Sequence, residues 1–293
     1  MEDVKWELAV KIACKIGESP VWNKKNACIY WLDIPHDFIY QFSPLQNKLS
    51  TFKTQTMTGS FSIRSSGGLI TASRDGFVII NPQNKIVKSI ASGESHQNNR
   101  FNDGKCDPAG RFWAGTMDMS GHPNVGSLYM LDVNHQVSVK IKEVSCSNGL
   151  AWSADNKKIY FIDTPSREVT VYDYDIGQGS IDNRKVVCKL NEGEGYPDGM
   201  TIDTEGMLWV ALWDGGKIVR INPNTGEVIF KFDLPVSRVT SCTFGGETLE
   251  DIYITSASYG LSDAEIKKQP LAGSLFVIKK SGFKGLDAFE YKG

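Results

Sequence analysis

Residues Asn102 to Asp118 read NDGKCDPAGRFWAGTMD, and the plan of this stretch decides the fold. A polar start enters a short run, Gly110 reverses the chain, and Phe112-Trp113-Ala114 begins a second run of strand-forming residues. The same plan recurs as ESPVWNKKNACIYWLD from Glu18, GSFSIRSSGGLITAS from Gly59, NGLAWSADNKKIYFID from Asn148, DGMTIDTEGMLWVAL from Asp198 and TSCTFGGETLEDIYITS from Thr240. Start-to-start spacings are 41, 43, 46, 50 and 42 residues. A four-stranded propeller blade takes about 40–50 residues, so the chain reads as all-β, a six-bladed β-propeller with four-stranded blades. In five copies the eighth residue after the start is Asn26, Gly67, Gly110, Asn156 or Gly206, as expected where a hairpin turns through left-handed backbone. Thr248 takes that place in the sixth, which marks a longer turn.

Outward from the repeat, a second strand follows each turn and carries Tyr30, Trp113, Tyr160, Trp209 or Tyr253 near its start, while Trp22, Trp152 and Trp209 read as packing residues. The segment from Trp6 to Ile12 precedes the first copy and is expected to pair into the last blade and close the ring. One domain spanning residues 1–293 accommodates all six copies. A pair of β-sandwiches is the competing architecture, disfavoured by the regular sixfold spacing.

Composition narrows the function. Lys+Arg is 32 against Asp+Glu 34, a net charge of −2, so there is no basic footprint for nucleic acid. No apolar run reaches the roughly 18 residues of a membrane span, and the Met1-Glu2-Asp3 start lacks the basic-then-apolar pattern of a secretory signal. The expectation is a cytoplasmic protein with a small-molecule partner and no membrane or nucleic-acid partner. Cys14, Cys28, Cys106, Cys146, Cys188 and Cys242 show no zinc-ligand spacing and read as free thiols. His36, His96, His122 and His135 receive no catalytic role, and the absence of G-x-S-x-G removes a serine nucleophile elbow.

The first strand of a propeller blade lines the central channel, so Glu18, Gly59, Asn102, Asn148, Asp198 and Thr240 should ring one mouth of it. Two carboxylates and two carboxamides then converge as hard oxygen donors suited to one divalent ion: Ca²⁺, Mg²⁺, Mn²⁺ or Zn²⁺. Asn and Asp are also enriched in turns, so the column by itself leaves a solvated turn as an equal reading. Carboxylates gathered on one axis repel unless a cation or proton intervenes, which favours the site. Arg100, two residues before Asn102, adds a fork of donors for an oxygen-rich substrate.

Gly17-Glu18-Ser19-Pro20-Val21-Trp22, Asn99-Arg100-Phe101-Asn102-Asp103-Gly104-Lys105, Ser147-Asn148-Gly149-Leu150-Ala151-Trp152 and Pro197-Asp198-Gly199-Met200 resemble the motifs of the regucalcin (senescence marker protein)/gluconolactonase family. The similarity runs through Phe244-Gly245-Gly246 and Gln269-Pro270, and also takes in the insect luciferin-regenerating proteins. It implies a divalent metal on Glu18, Asn148 and Asp198, substrate contacts from Arg100 and Asn102, and hydrolysis of lactones with Asp198 as general base. A non-catalytic Ca²⁺-binding regulator and a luciferin-regenerating type of enzyme are the alternatives. An interaction propeller that binds proteins is a third class, but it has no need of axial carboxylates. One position departs from the pattern. Where sugar-lactone hydrolases carry an acidic substrate contact after Gly-Thr-Met, this chain has Ser120, or Asp118 if the register slips.

Overall fold

The computed structural model describes residues 5–81, 86–94 and 96–293. Six four-stranded antiparallel sheets follow one another along the chain. The innermost strands are Gly17–Asn23, Thr58–Ile63, Asn99–Cys106, Ser147–Trp152, Tyr196–Ile202 and Val239–Gly245. Each packs against the inner strands of both neighbouring blades, the sixth against the first, which closes a six-bladed β-propeller. Burial follows position within each blade. Cys28–Asp33 is buried throughout, whereas the outermost strand of the same blade, Lys48–Lys53, is almost wholly exposed.

The ring is locked at both chain ends. Glu7–Val10 pairs antiparallel with Leu275–Ile278 as the outermost strand of the last blade, as the sequence leads one to expect. Residues 1–4, on which most of the reading of the N-terminus rests, lie outside the described residues. The second lock has no counterpart in the repeat. After the last strand, residues 284–292 cross the far end of the channel, where Gly285 N–H donates to Leu249, Tyr291 N–H to Ile63 and Lys292 N–H to Gly110. This strap touches the sixth, second and third blades in turn, and Leu286, Asp287, Ala288 and Phe289 cover the channel from that side.

Between blades the core is aromatic. Trp31, Trp113 and Trp209 are fully buried, and Trp113 packs edge-on against Trp152 with ring centroids 5.9 Å apart. Truncating either tryptophan to alanine would cost about 3–5 kcal/mol. The turns follow the expected chemistry in four blades, with φ of 93° at Gly67, 89° at Gly110, 58° at Asn156 and 79° at Gly206. The first blade differs. There Ala27 takes the left-handed backbone (φ 49°), while the Asn26 side chain donates to Tyr30 Oη at 2.8 Å and stays outside that region. In the sixth blade Gly246 and Leu249 share the positive φ values around a longer turn. All six cysteines are free, four buried and Cys146 and Cys188 half-buried. Among the described residues no helix is long and apolar enough to cross a membrane.

Candidate metal centre and substrate cavity

Every inner strand breaks its pairing register at the start of its repeat. In the second and sixth blades one residue is skipped, Gly59 and Thr240. In the other four, two residues are skipped: Ser19 and Pro20, Asn102 and Asp103, Asn148 and Gly149, and Asp198 and Gly199. A bulge frees a residue from the ladder and re-aims its side chain; three of the four two-residue bulges free a polar column residue, and the fourth begins directly after Glu18, which stays opposite Leu32. Ser19 adopts φ 50° to make its turn, a strained conformation for a residue with a Cβ, and its N–H then donates to Glu18 Oε2 at 2.6 Å. Gly199 is needed for a different reason. A Cβ there would lie 2.0 Å from Ser241 Oγ on the next inner strand.

Glu18, Arg100, Asn102, Asn148 and Asp198 all line one cavity of about 560 Å³ at the open mouth of the channel. Glu18, Asn148 and Asp198 are only 5%, 4% and 6% exposed. The two amides are held by a chain of hydrogen bonds. Arg100 Nη1 donates to Asn102 Oδ1 at 2.7 Å, and Asn102 Nδ2 donates to Asn148 Oδ1 at 3.1 Å and to the Ser147 carbonyl at 2.9 Å. Asn148 Nδ2 in turn donates to Thr164 Oγ1 at 2.7 Å, and Thr164 donates to the Pro197 carbonyl at 2.8 Å. With its nitrogen committed to Thr164, Asn148 is locked with its oxygen directed to the other side of the amide, toward Asn102.

The carboxylates are differently placed. Glu18 receives the Ser19 N–H, but among the described residues no hydrogen bond reaches the Asp198 carboxylate. Burial, then the charges of Asp198 and Asp103, push the Glu18 carboxyl well above its usual range. Burial and Asp103 do the same to Asp198, against the opposing pull of Arg100. Beneath them Lys105 Nζ donates to the Met200 carbonyl at 2.6 Å and offsets part of the negative charge. Buried, mutually repelling carboxylates with an amide oxygen beside them are a donor set suited to a hard divalent cation. Among the described residues no three His, Cys, Asp or Glu side chains assemble into a cage unaided, so the Asn148 oxygen would be an essential member of the set.

Two residues considered for substrate contact lie elsewhere. Ser120 is exposed on the turn after Phe112–Asp118 and accepts from Asn98 Nδ2 at 2.9 Å; it does not line the cavity. Asp118 is buried inside that turn. Burial would raise its carboxyl, but hydrogen bonds from Asn98, His122 and Ser120 outweigh it and bring it down to about 2. Met117 and Met119, on either side of Asp118, line the cavity instead. Sequence reasoning also passed over Thr164, the residue that orients Asn148, and Cys146, whose half-buried thiol lines the cavity and is raised to about 12, first by burial.

Comparison with known proteins agrees with this architecture. Residues 16–258 match the family described as SMP-30/Gluconolactonase/LRE-like region. Regucalcin of Danio rerio is 40% identical over 295 residues, with all of both chains covered. A luciferin-regenerating enzyme structure superimposes with a TM-score of 0.92 at 32% identity, covering 98% of this chain and 99% of that one. The fold also matches a calcium-binding protein, regucalcin, from Agrobacterium tumefaciens str. C58, with a TM-score of 0.93 at 24% identity over 98% and 97% of the two chains.

Proposed function

The chain belongs to the SMP-30/gluconolactonase/LRE-like family, and from that membership and the buried carboxylates we propose that it is a metal-dependent hydrolase of small-molecule lactones or esters. The observation that carries the reading is the pair Glu18 and Asp198, buried in one cavity with raised pKa values and facing an oriented amide. Glu18, Asn148 and Asp198 would hold one divalent ion: Ca²⁺, Zn²⁺, Mn²⁺ or Mg²⁺. When bound, such an ion supplies Lewis-acid polarisation of a carbonyl oxygen.

The chain's own groups supply the rest. Asp198, free of hydrogen bonds among the described residues, accepts a proton from the attacking water as its oxygen adds to the carbonyl carbon, and returns that proton to the departing alkoxide oxygen. The acyl–oxygen bond breaks, and an acid and an alcohol result, joined in one molecule when the substrate is a lactone. Arg100, whose Nη1 is held by Asn102 Oδ1 at 2.7 Å, offers its remaining N–H groups to substrate oxygens, while Asn102, with both amide hydrogens spent on Asn148 and Ser147, fixes the position of Arg100 and Asn148. The Asp103–Lys105 pair lies beneath the floor and keeps its charge balanced without reaching the cavity.

The test is hydrolysis of a lactone panel by purified protein, stripped of metal and then reloaded with each ion. Turnover should require a divalent cation and disappear in Asp198→Ala while the circular dichroism spectrum is kept; full activity in strong chelator would overturn the reading. The similarity to proteins called regucalcin, one of them described as calcium-binding, supports a second reading, a cation-binding protein without turnover. Tight Ca²⁺ binding with no hydrolysis across the panel would select it.

A further inference from the structure

The cavity has two chemically distinct parts. All its charged side chains, with Asn102 and Asn148, lie among the residues freed by the inner-strand bulges or beside them. The remaining lining comes from the strand ends and connections at the same end of the blades, and apart from Cys146 and Thr164 its side chains are apolar or aromatic: Met57, Met117, Met119, Tyr196, Trp213 and Tyr259 are its larger members. Thr164 is already committed at both ends, to Asn148 and Pro197. The carboxylate nearest this wall in sequence, Asp118, spends its oxygens on its own turn, accepting from Asn98, Ser120 and His122.

A ring bearing several hydroxyls would find few partners on such a wall, the Tyr196 and Tyr259 hydroxyls and the Trp213 N–H at its aromatic edges, and each buried hydroxyl left unpaired weighs against binding. A flat apolar ring suits it. Two of the aromatic side chains are also braced from behind, since the Arg167 guanidinium stacks 3.9 Å from the Tyr196 centroid and that of Arg238 lies 4.9 Å from the Trp213 centroid. Arg167 is itself anchored by the carbonyls of Asn191 and Gly195, and Arg238 by Asp214. Rigid aromatic walls lose little freedom on binding, which favours stacking of a planar ligand. Methionines opposite them adapt to its outline.

We infer that the substrate is a lactone or ester whose non-reacting part is a flat, apolar or aromatic ring held by Tyr196, Trp213 and Tyr259 opposite Met117 and Met119, and that it is not a polyhydroxylated sugar lactone. The inference rests on the hydrolase reading for the word substrate, but ring recognition by the wall stands apart from it.

The experiment therefore has a binding arm and a turnover arm. In the binding arm, 3,4-dihydroquinolin-2-one, the stable amide counterpart of dihydrocoumarin, is titrated into protein held in chelator, and quenching of Trp213 fluorescence is read. Saturable quenching is expected, absent in Trp213→Phe and with Kd weakened roughly tenfold in Tyr196→Ser/Tyr259→Ser; Tyr259→Ser alone, at a residue 56% exposed, serves as the variant least able to disturb the fold. In the turnover arm, metal-loaded protein should show kcat/KM for dihydrocoumarin at least about tenfold above that for glucono-1,5-lactone, with the ratio collapsing in the double variant. Saturable quenching with neither lactone hydrolysed upholds the ring site and sinks the hydrolase reading. Preferred hydrolysis of glucono-1,5-lactone with no quenching by the lactam overturns the inference and leaves the hydrolase reading intact.

Discussion

Two kinds of buried aspartate sit at opposite ends of the same strand. Asp203, five residues after Asp198, accepts from Arg220 Nε at 2.7 Å, Trp209 Nε1 at 3.0 Å and the N–H groups of Glu205 and Met207. Asp107 stands in the same relation to Asn102 two blades earlier, accepting from Arg111 Nε at 2.6 Å, the Arg111 N–H, Trp113 Nε1 and Tyr174 Oη. Each of these carboxylates is sheathed by donors and by a guanidinium. Asp198 has neither hydrogen bond nor ion pair among the described residues, and its nearest charged neighbours include Asp103, of the same sign. Burial alone therefore separates nothing; satisfaction does. A buried charge whose partners are complete holds blades together, whereas one left incomplete marks the place where something else is meant to bind.

The largest effect should come from the sheathed group. Asp203→Ala leaves the buried Arg220 with only the exposed Glu205 carboxylate as an ionic partner and strips the buried Trp209 Nε1 of its acceptor, and should lower the unfolding free energy by about 3–5 kcal/mol in urea denaturation. A loss below about 1 kcal/mol would erase the contrast between the two classes. Asp198→Asn should move the other way, because it removes an uncompensated buried charge. In chelator it should raise stability by about 1–2 kcal/mol, while abolishing turnover in the metal-loaded protein.

The contrast also has a pH signature. Glu18 and Asp198 carry folded-state pKa values raised above their ordinary 4.5 and 3.8, so over that interval the folded chain holds more protons than the unfolded one. Their contribution is fully present below about pH 4 and lost as pH rises through the raised values. In chelator, the stability of the wild type minus that of Glu18→Gln/Asp198→Asn should fall as the pH rises above about 4. A difference that is flat or rises with pH would contradict the assignment. The smallest effect tests positioning. Thr164→Val removes the acceptor that turns Asn148 and should weaken divalent-ion binding roughly tenfold, read by calorimetry, with little change in thermal midpoint.

Much of this was legible before any coordinates. The repeat is visible because each hairpin needs left-handed backbone and each second strand needs a large side chain between blades, so Gly67, Gly110, Asn156 and Gly206 fall into register with Trp113, Tyr160 and Trp209. The column Glu18, Asn102, Asn148 and Asp198 follows from that register. The strap over residues 284–292 was invisible because it carries no repeat and binds through backbone groups, which any sequence possesses. The bulges escaped notice for the same reason, since a skipped residue leaves no compositional trace beyond a following Gly149 or Gly199. The apolar wall was missed because Met119 and Ser120 are adjacent, and a turn knotted around Asp118 decides which of them meets the cavity. One available signal went unused. Asp107 and Trp113, like Asp203 and Trp209, are six residues apart, a spacing that pairs a carboxylate with an indole N–H across a hairpin and labels the sheathed class directly.

Calorimetric titration of the chelator-stripped chain with Ca²⁺, Mn²⁺, Zn²⁺ and Mg²⁺, run side by side on wild type, Glu18→Gln, Asp198→Asn and Asp203→Asn, goes to the heart of the matter. One ion should bind per wild-type chain, be lost from Glu18→Gln and Asp198→Asn, and be retained by folded Asp203→Asn. An ion that binds equally well without either mouth carboxylate, or no binding to the wild type by any of the four, would contradict the account.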